Sequence, residues 1–255
     1  ESDEKIRFFV NTAHDIRTPL TLIKAPLEEI TEREQLTSSG QSNINTALRN
    51  VNALLRLTTN LINFERADTY SGSLYVSEYE LGAYMTDIVN VFRSYASVKH
   101  IDLTYESNFR YLNVWLDKDK MDSILKNIIS NALKYTPEGG SVHVYAYETE
   151  DTWNVEVSDT GIGIPLDEQK KLFKMHFRGS NAINSKVTGS GIGLLLVWKL
   201  VHMHKGKLNF TSTEGKGSCI KVSFPKGEKR YRKAIHRPAP TKEQEQNNEP
   251  EQITS

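Results

Sequence analysis

Several short runs of this sequence combine residue types with spacings that chemistry could use. The first is His14-Asp15-Ile16-Arg17-Thr18-Pro19. An imidazole beside a carboxylate can serve as a nucleophile: the carboxylate takes the proton of one ring nitrogen and leaves the other free to attack. Positioned base assistance of this kind is worth roughly 10²–10⁴-fold in rate. Pro19 has no N–H for the carbonyl of Asp15, so a helix here is expected to bend or loosen beside the histidine. Taken singly, His14 reads more readily as an ordinary surface histidine. The second run is Asn127-Ile128-Ile129-Ser130-Asn131-Ala132-Leu133-Lys134-Tyr135-Thr136. Asn127 and Asn131 stand four apart, hence on one face of a helix. Their amide oxygens could hold a magnesium ion that bridges phosphates, with Lys134 as a counter-charge. A polar helix face is the plainer reading of that pair.

A third run, Asp159-Thr160-Gly161-Ile162-Gly163, follows a strand-like stretch. A carboxylate at a strand end, followed by glycines that admit close backbone approach, could accept a hydrogen bond from an exocyclic amine such as that of adenine. A calcium loop lacks its later acidic ligands, and an ordinary turn stays possible. Gly189-Ser190-Gly191-Ile192-Gly193-Leu194 opens a helical pattern, where free N–H groups suit phosphate. It follows no strand, which argues against a dinucleotide-binding turn, and no GxxxxGK[ST] run exists for a P-loop. Gly215-Lys216-Gly217-Ser218 reads as a hairpin turn.

The elements that must position these residues fall into two groups. Ile6, Phe9, Ala13, Ile16, Leu20, Ile23, Leu27 and Ile30 recur in steps of three and four, a helical stripe spanning residues 1–34. Thr37 to Gly40 supply turn chemistry, and Ile44, Leu48, Val51, Leu55, Thr58 and Ile62 form a second stripe. A two-helix hairpin leaves one apolar face uncovered, and each Leu or Ile left out forfeits about 1.5–3 kcal/mol. A homodimeric four-helix bundle covers that face. After a linker at Asp68–Ser73, strands are expected at 74–77, 101–106, 112–116, 142–148, 153–158, 207–213 and 218–224. Helices are expected at 78–98, 119–135 and 191–204, with a short one near 167–173, and residues 174–190 read as a loop. The polar stretch 238–255 reads as disordered or a linker.

Composition narrows the field. Equal counts of 32 basic and 32 acidic residues argue against a general nucleic-acid or membrane surface. The cluster Lys229, Arg230, Arg232, Lys233 and Arg237 has no aromatic platform beside it and reads as a solvated run, so no nucleic-acid partner is expected. One cysteine, Cys219, makes no internal disulfide and suits a reducing cytosol. No apolar run reaches the roughly 20 residues of a membrane span. The chain begins at Glu1 in what looks like helix. It therefore reads as the cytoplasmic portion of a longer protein, touching a membrane only through an anchored sensor upstream.

The order of the motifs is more specific than any one of them. HDIRTP, NIISNALKYT, DTGIGI, a phenylalanine-rich stretch from Leu172 to Arg178, GSGIGL and TEGKGS succeed one another as the H, N, G1, F, G2 and G3 boxes do in the sensor histidine kinases of two-component systems. The chain resembles that family over residues 1 to about 226. The resemblance implies an α+β protein: a helical hairpin dimerising into a four-helix bundle, then an α/β sandwich ATPase domain of the gyrase/Hsp90/histidine kinase type. Residues 1–68 would be the dimerisation and phosphotransfer domain, 69–72 a linker, 73–226 the catalytic ATP-binding domain, and 227–255 a basic segment and tail. His14 would be phosphorylated by MgATP with Asp15 orienting its ring. Asn131 would hold magnesium, Asn127 would support phosphate or metal-bound water, Lys134 would meet phosphate and Tyr135 would pack near the nucleotide. Asp159 would read adenine, while Gly161, Gly163, Gly189, Gly191, Gly193, Leu194 and Ser218 would shape the pocket beneath a lid at 174–190. Thr18 matches the position that places water for dephosphorylating a response regulator. The implied partners are a second copy of the chain and a response-regulator receiver domain, separate or in the same parent chain. His176 departs from the family, which usually has an aromatic there. A scaffold that binds ATP but transfers little phosphate is the competing expectation.

Overall fold

The computed structural model describes residues 2–69, 74–170, 172, 193–231 and 235–236, without the side chains of 2–15, 56–57, 60–69, 229–230 and 235–236. The described residues fall into two compact units, one of 2–69 with 193–196 and the other of 74–170, 172, 197–231 and 235–236.

The first unit is a hairpin of two helices, α1 (Ser2–Arg33) and α2 (Ser38–Thr69). α1 runs on through Pro19 and Pro26. The turn between the helices is tighter than the sequence suggests. Thr37 caps α2, its hydroxyl accepting from Gly40 N at 3.1 Å, so Ser38, Ser39 and Gly40 are already helical. Leu20, Val51 and Thr58 are buried. Ile16, Ile23 and Leu54 stay 43%, 49% and 45% exposed, although Ile16 and Ile23 belong to the predicted apolar stripe.

The second unit sets helices against one face of a sheet. Its five strands lie in the order β2 (Asp102–Ser107), β4 (Ser141–Glu148), β5 (Thr152–Asp159), β7 (Gly217–Pro225) and β6 (Lys207–Thr213). All neighbours are antiparallel except the β2–β4 pair. Burial alternates along β4, with Val142, Val144 and Ala146 buried and Tyr145 and Tyr147 stacked on the other face at 5.1 Å. That is the pattern of a sheet covered on one side only. The helices packed on it include α3 (Leu81–Val98) and α4 (Lys118–Tyr135); a short α5 (Leu166–Gln169) and α6 (Gly193–Met203) come later in the chain. α4 contributes seven buried apolar residues, Met121 to Leu133, all on one face. Trp153 and Phe224 pack at 4.6 Å between ring centroids at the far end of the sheet.

A smaller sheet, β3 (Asn113–Leu116), β1 (Tyr75–Glu80) and β8 (Ile235–His236), flanks this core. β1 extends to Glu80, beyond the expected end at 77, because its pairing with β3 continues to the Glu80–Asn113 pair. Glu80 then caps α3 by accepting from Gly82 N and Ala83 N at 3.0 and 2.6 Å. Asp117 caps α4 and also accepts from Tyr75 N at 2.9 Å, which binds the two layers. Its N–H reaches Nε2 of the fully buried His204 at 3.4 Å, and the other ring nitrogen meets Leu200 O at 2.9 Å. Burial lowers the pKa of that imidazole. Beyond 227 the chain does not simply trail away: Tyr231 is buried with Leu74 and Val76, and β8 pairs parallel with β1.

Candidate nucleotide site

One cluster of predicted residues gathers around the end of β5. Asp159 is its last residue, and its Oδ1 accepts from Gly161 N at 2.8 Å and Ser218 N at 3.2 Å. Both bonds favour the carboxylate, yet burial prevails and raises its pKa. Neither bond uses Oδ2, which makes no hydrogen bond among the described residues. Gly161 lies so close to the end of α4 that a Cβ would stand 2.6 Å from Tyr135 O. The next N–H, that of Ile162, donates to the same carbonyl at 3.1 Å. Gly163 has φ +62, and a Cβ there would collide with the carbonyl of Thr213.

The turn joining β6 and β7 closes the other side. Gly215 and Gly217 both take positive φ, as the hairpin reading of this run requires. Gly215 N donates to Ile162 O at 2.8 Å. The Ser212 hydroxyl of β6 ties the loop after β5 to β7: it accepts from Ile164 N at 2.8 Å, lies 3.0 Å from Gly217 O and 2.9 Å from the Ser218 hydroxyl. Gln169, from α5, donates to Ile164 O and Ser212 O at 2.9 and 3.0 Å. Thr160 pairs with Ser141 of β4, its hydroxyl accepting from Ser141 N at 2.9 Å. Asp159, Gly161, Gly163, Tyr135 and Ser218 are thus brought together. Ser212, Thr160 and Gln169 were not foreseen. Thr160 reaches Ser141, Ser212 reaches Ile164 and Gln169 reaches Ser212 across 19, 48 and 43 residues, contacts that no local pattern announces.

Asn127, Asn131 and Lys134 share the face of α4 turned from the core, and all three are half-buried. Asn127 Nδ2 donates to Ser123 O at 2.7 Å, which leaves Oδ1 as an acceptor. The Asn131 amide makes no hydrogen bond among the described residues. The Lys134 ammonium lies 4.9 Å from the centroid of the Tyr135 ring. Gly193 and Leu194 are the first residues of α6, half-buried, while Gly189, Gly191, His176 and the expected lid lie outside the described residues. In the hairpin, Thr18 is exposed on α1, and the side chains of His14 and Asp15 lie outside the described residues.

Comparison with known proteins adds to this geometry. Residues 4–69 match the family described as His Kinase A (phospho-acceptor) domain. Residues 116–228 match the family described as Histidine kinase-, DNA gyrase B-, and HSP90-like ATPase. The chain is a sensor histidine kinase core. Sensor histidine kinase WalK of Bacillus subtilis is 31% identical to this core over 225 residues, 87% of this chain and 37% of that protein. Histidine kinase P4 of Formosa agariphila is 29% identical over 226 residues, 88% of this chain and 16% of that protein. The kinase core therefore spans only a minor part of these relatives. In fold it is similar to full-length ShkA, solved in complex with AMPPNP, with a TM-score of 0.71 at 21% identity over 88% of this chain and 46% of that one. AdeS of Acinetobacter baumannii gives a TM-score of 0.58 at 17% identity over 84% of this chain and 98% of that one.

The donor set of the core bears on which metal it would suit. Among the described residues no three His, Cys, Asp or Glu side chains stand together as a metal cluster. Neutral amide oxygens on one helix face, neither of them hydrogen-bonded among the described residues, instead suit a hard cation that keeps waters and takes its remaining ligands from phosphates. Magnesium bound through nucleotide behaves in that way. No described helix is long and apolar enough to cross a membrane.

Proposed function

We propose that this chain is an ATP-dependent protein-histidine kinase that phosphorylates itself on His14 and passes the phosphoryl group to an aspartate of a response-regulator receiver domain. The observation that carries the reading is the braced carboxylate of Asp159, with Oδ1 held by two N–H groups and Oδ2 left to a ligand. An exocyclic amine such as that of adenine is the matching donor. Residues 1–68 act as the phosphotransfer domain and 73–226 as the ATP-binding domain. The glycines 161, 163, 189, 191 and 193, with Leu194 and Ser218, shape the nucleotide pocket.

In the transfer step one ring nitrogen of His14 attacks the γ-phosphorus and the bond to the β,γ-bridging oxygen breaks, releasing ADP. The proton on the other ring nitrogen passes to Asp15, which leaves a phosphoramidate with a neutral imidazole ring and an anionic phosphoryl group. Magnesium, when bound with ATP, neutralises charge that builds on the phosphate oxygens. Asn131 holds it through its amide oxygen, Asn127 turns its Oδ1 toward phosphate or a metal-bound water, and Lys134 meets phosphate. An amide at 127 cannot take a proton from water at neutral pH, so hydrolysis is disfavoured and transfer to His14 preferred. Thr18, exposed on α1, would hold the water that removes phosphate from a receiver. The partly exposed Ile16, Ile23 and Leu54 support a homodimer through the hairpin. Use of ATP and of a receiver domain would fit a cytosolic reaction.

Incubation of the chain with γ-labelled MgATP tests the reading. The expected label is acid-labile and alkali-stable, and His14→Gln removes it while ATP affinity stays unchanged. Nucleotide binding without any label would make the chain a binding scaffold and overturn the kinase assignment.

A further inference from the structure

The last turn of α4 presents four successive backbone carbonyls, and each has a partner outside the helix. Those of Leu133, Lys134 and Thr136 accept from the Lys99 ammonium at 2.8, 3.4 and 3.2 Å. The fourth, that of Tyr135, accepts from Ile162 N at 3.1 Å. Carbonyls at a helix C-terminus lack intrahelical donors and sit at the negative end of the helix dipole, so an ammonium with three protons satisfies both needs.

Lys99 is itself held from behind. It is the C-cap residue of α3, its N–H donates to Tyr95 O at 3.1 Å, and its ammonium lies 5.8 Å from the centroid of the Tyr95 ring. The neighbouring backbone is locked as well, with Gly139 N donating to His100 O and Asp102 N to Gly140 O, both at 3.0 Å. Burial lowers the pKa of the ammonium, the effect of drawing it out of water toward these carbonyls.

The consequence reaches the nucleotide site through one atom. The Tyr135 carbonyl seats Ile162 N and is the atom against which Gly161 is packed. Gly161 N in turn holds Oδ1 of Asp159 at 2.8 Å. We infer that Lys99 is a positioning residue for the adenine end of the site: by tying the carbonyls on both sides of Tyr135, it fixes the one that seats Gly161 and Ile162 and so aims the Asp159 carboxylate. The inference rests on the reading of Asp159 as the adenine contact.

Lys99→Met keeps the apolar stem and removes the three charge-assisted bonds. The dissociation constant for ATP should rise about five- to tenfold, the scale of one or two such bonds lost at a distance. Because the defect lies at the adenine end, the affinity for inorganic tripolyphosphate should not change, and the preference for ATP over GTP should shrink by the same factor. In the labelling assay the change should fall on KM rather than kcat, and Lys99→Arg should restore most of it. A lower melting temperature with the ATP preference intact would mean a purely structural role and overturn the inference, as would equal losses for ATP and tripolyphosphate. Should Lys99→Met fail to fold, Lys99→Gln, which keeps a donor without the charge, is read by the same ratios. A wild-type chain with no preference for ATP over GTP would sink the adenine reading itself. Preserved preference in both wild type and variant would sink only the role of Lys99.

Discussion

The two ends of the candidate site are built in opposite ways. Around Asp159 the protein satisfies itself: two N–H groups hold Oδ1, the Tyr135 carbonyl seats the following loop, and the Ser212 hydroxyl ties that loop to the β6–β7 turn. Along the outer face of α4 it does not. The Asn131 side chain makes no hydrogen bond among the described residues, and that of Asn127 engages only Nδ2. The contrast follows from what each end would meet. A flat base carries one amine in a fixed direction and needs a rigid complement. Phosphates and a metal bring their own charge and water, so the groups that meet them must be left available.

The contrast is broken most severely at the available end. Asn131→Ala removes an amide that holds nothing in the described structure, so the melting temperature should stay level or rise slightly, alanine being the better helix former. Magnesium-dependent nucleotide binding should nevertheless weaken by at least about 100-fold, more than is typical for loss of a group that only supports a metal ligand. Titration calorimetry with and without magnesium checks both halves. Normal binding would refute the role of Asn131.

At the braced end the expected pattern reverses, with stability suffering first. Gly163 has φ +62, and any Cβ would strike the Thr213 carbonyl. Gly163→Ala should cost about 2–4 kcal/mol through backbone strain and the displaced hairpin turn. A denaturant titration of the nucleotide-free chain reads this directly. If Gly163→Ala unfolded at the wild-type midpoint, the loop would not be rigid and the comparison would fail.

The same contrast explains which parts of the site were legible in the sequence. Asp159 with its glycines, and the Asn127–Asn131 spacing, are local signals: a strand end and one helix face fix where such residues can lie. The alternation of β4 and the apolar face of α4 were legible for the same reason. The brace was not. Ser212 meets Ile164 and Lys99 meets Leu133 only after the sheet and helices have assembled, and neither residue stands in a motif. Boundaries failed where a long-range partner overrode local preference. Pairing with β3 carried β1 to Glu80. Strand β8, with only two residues, exists because β1 offers it an edge. Thr37 shows the opposite limit, since residues of turn type at 38–40 were drawn into helix once a single hydroxyl capped them.

The smallest effect concerns the charge of Asp159 in the absence of nucleotide. Burial raises its pKa even though two N–H groups favour the ionised form. A carboxyl whose folded pKa lies above its unfolded value holds its proton more tightly in the folded state. Its contribution to stability is therefore complete below the ordinary value near 3.8 and is lost as pH rises through the raised folded value. Asp159→Asn keeps an oxygen to accept from Gly161 and Ser218 but cannot ionise. Without nucleotide, Asp159→Asn should thus be slightly more stable than wild type at pH 7, with the gap closing as the pH falls through the raised folded value and gone below the ordinary value near 3.8, measurable as a difference in urea midpoints. In ATP the order should invert, because the new amide presents N–H where an amine must be accepted, and stabilisation by ligand is lost with the affinity. A carboxylate that costs the empty fold stability and repays it only when adenine arrives is better explained by binding than by folding. Equal stabilisation of both proteins by ATP would remove that explanation.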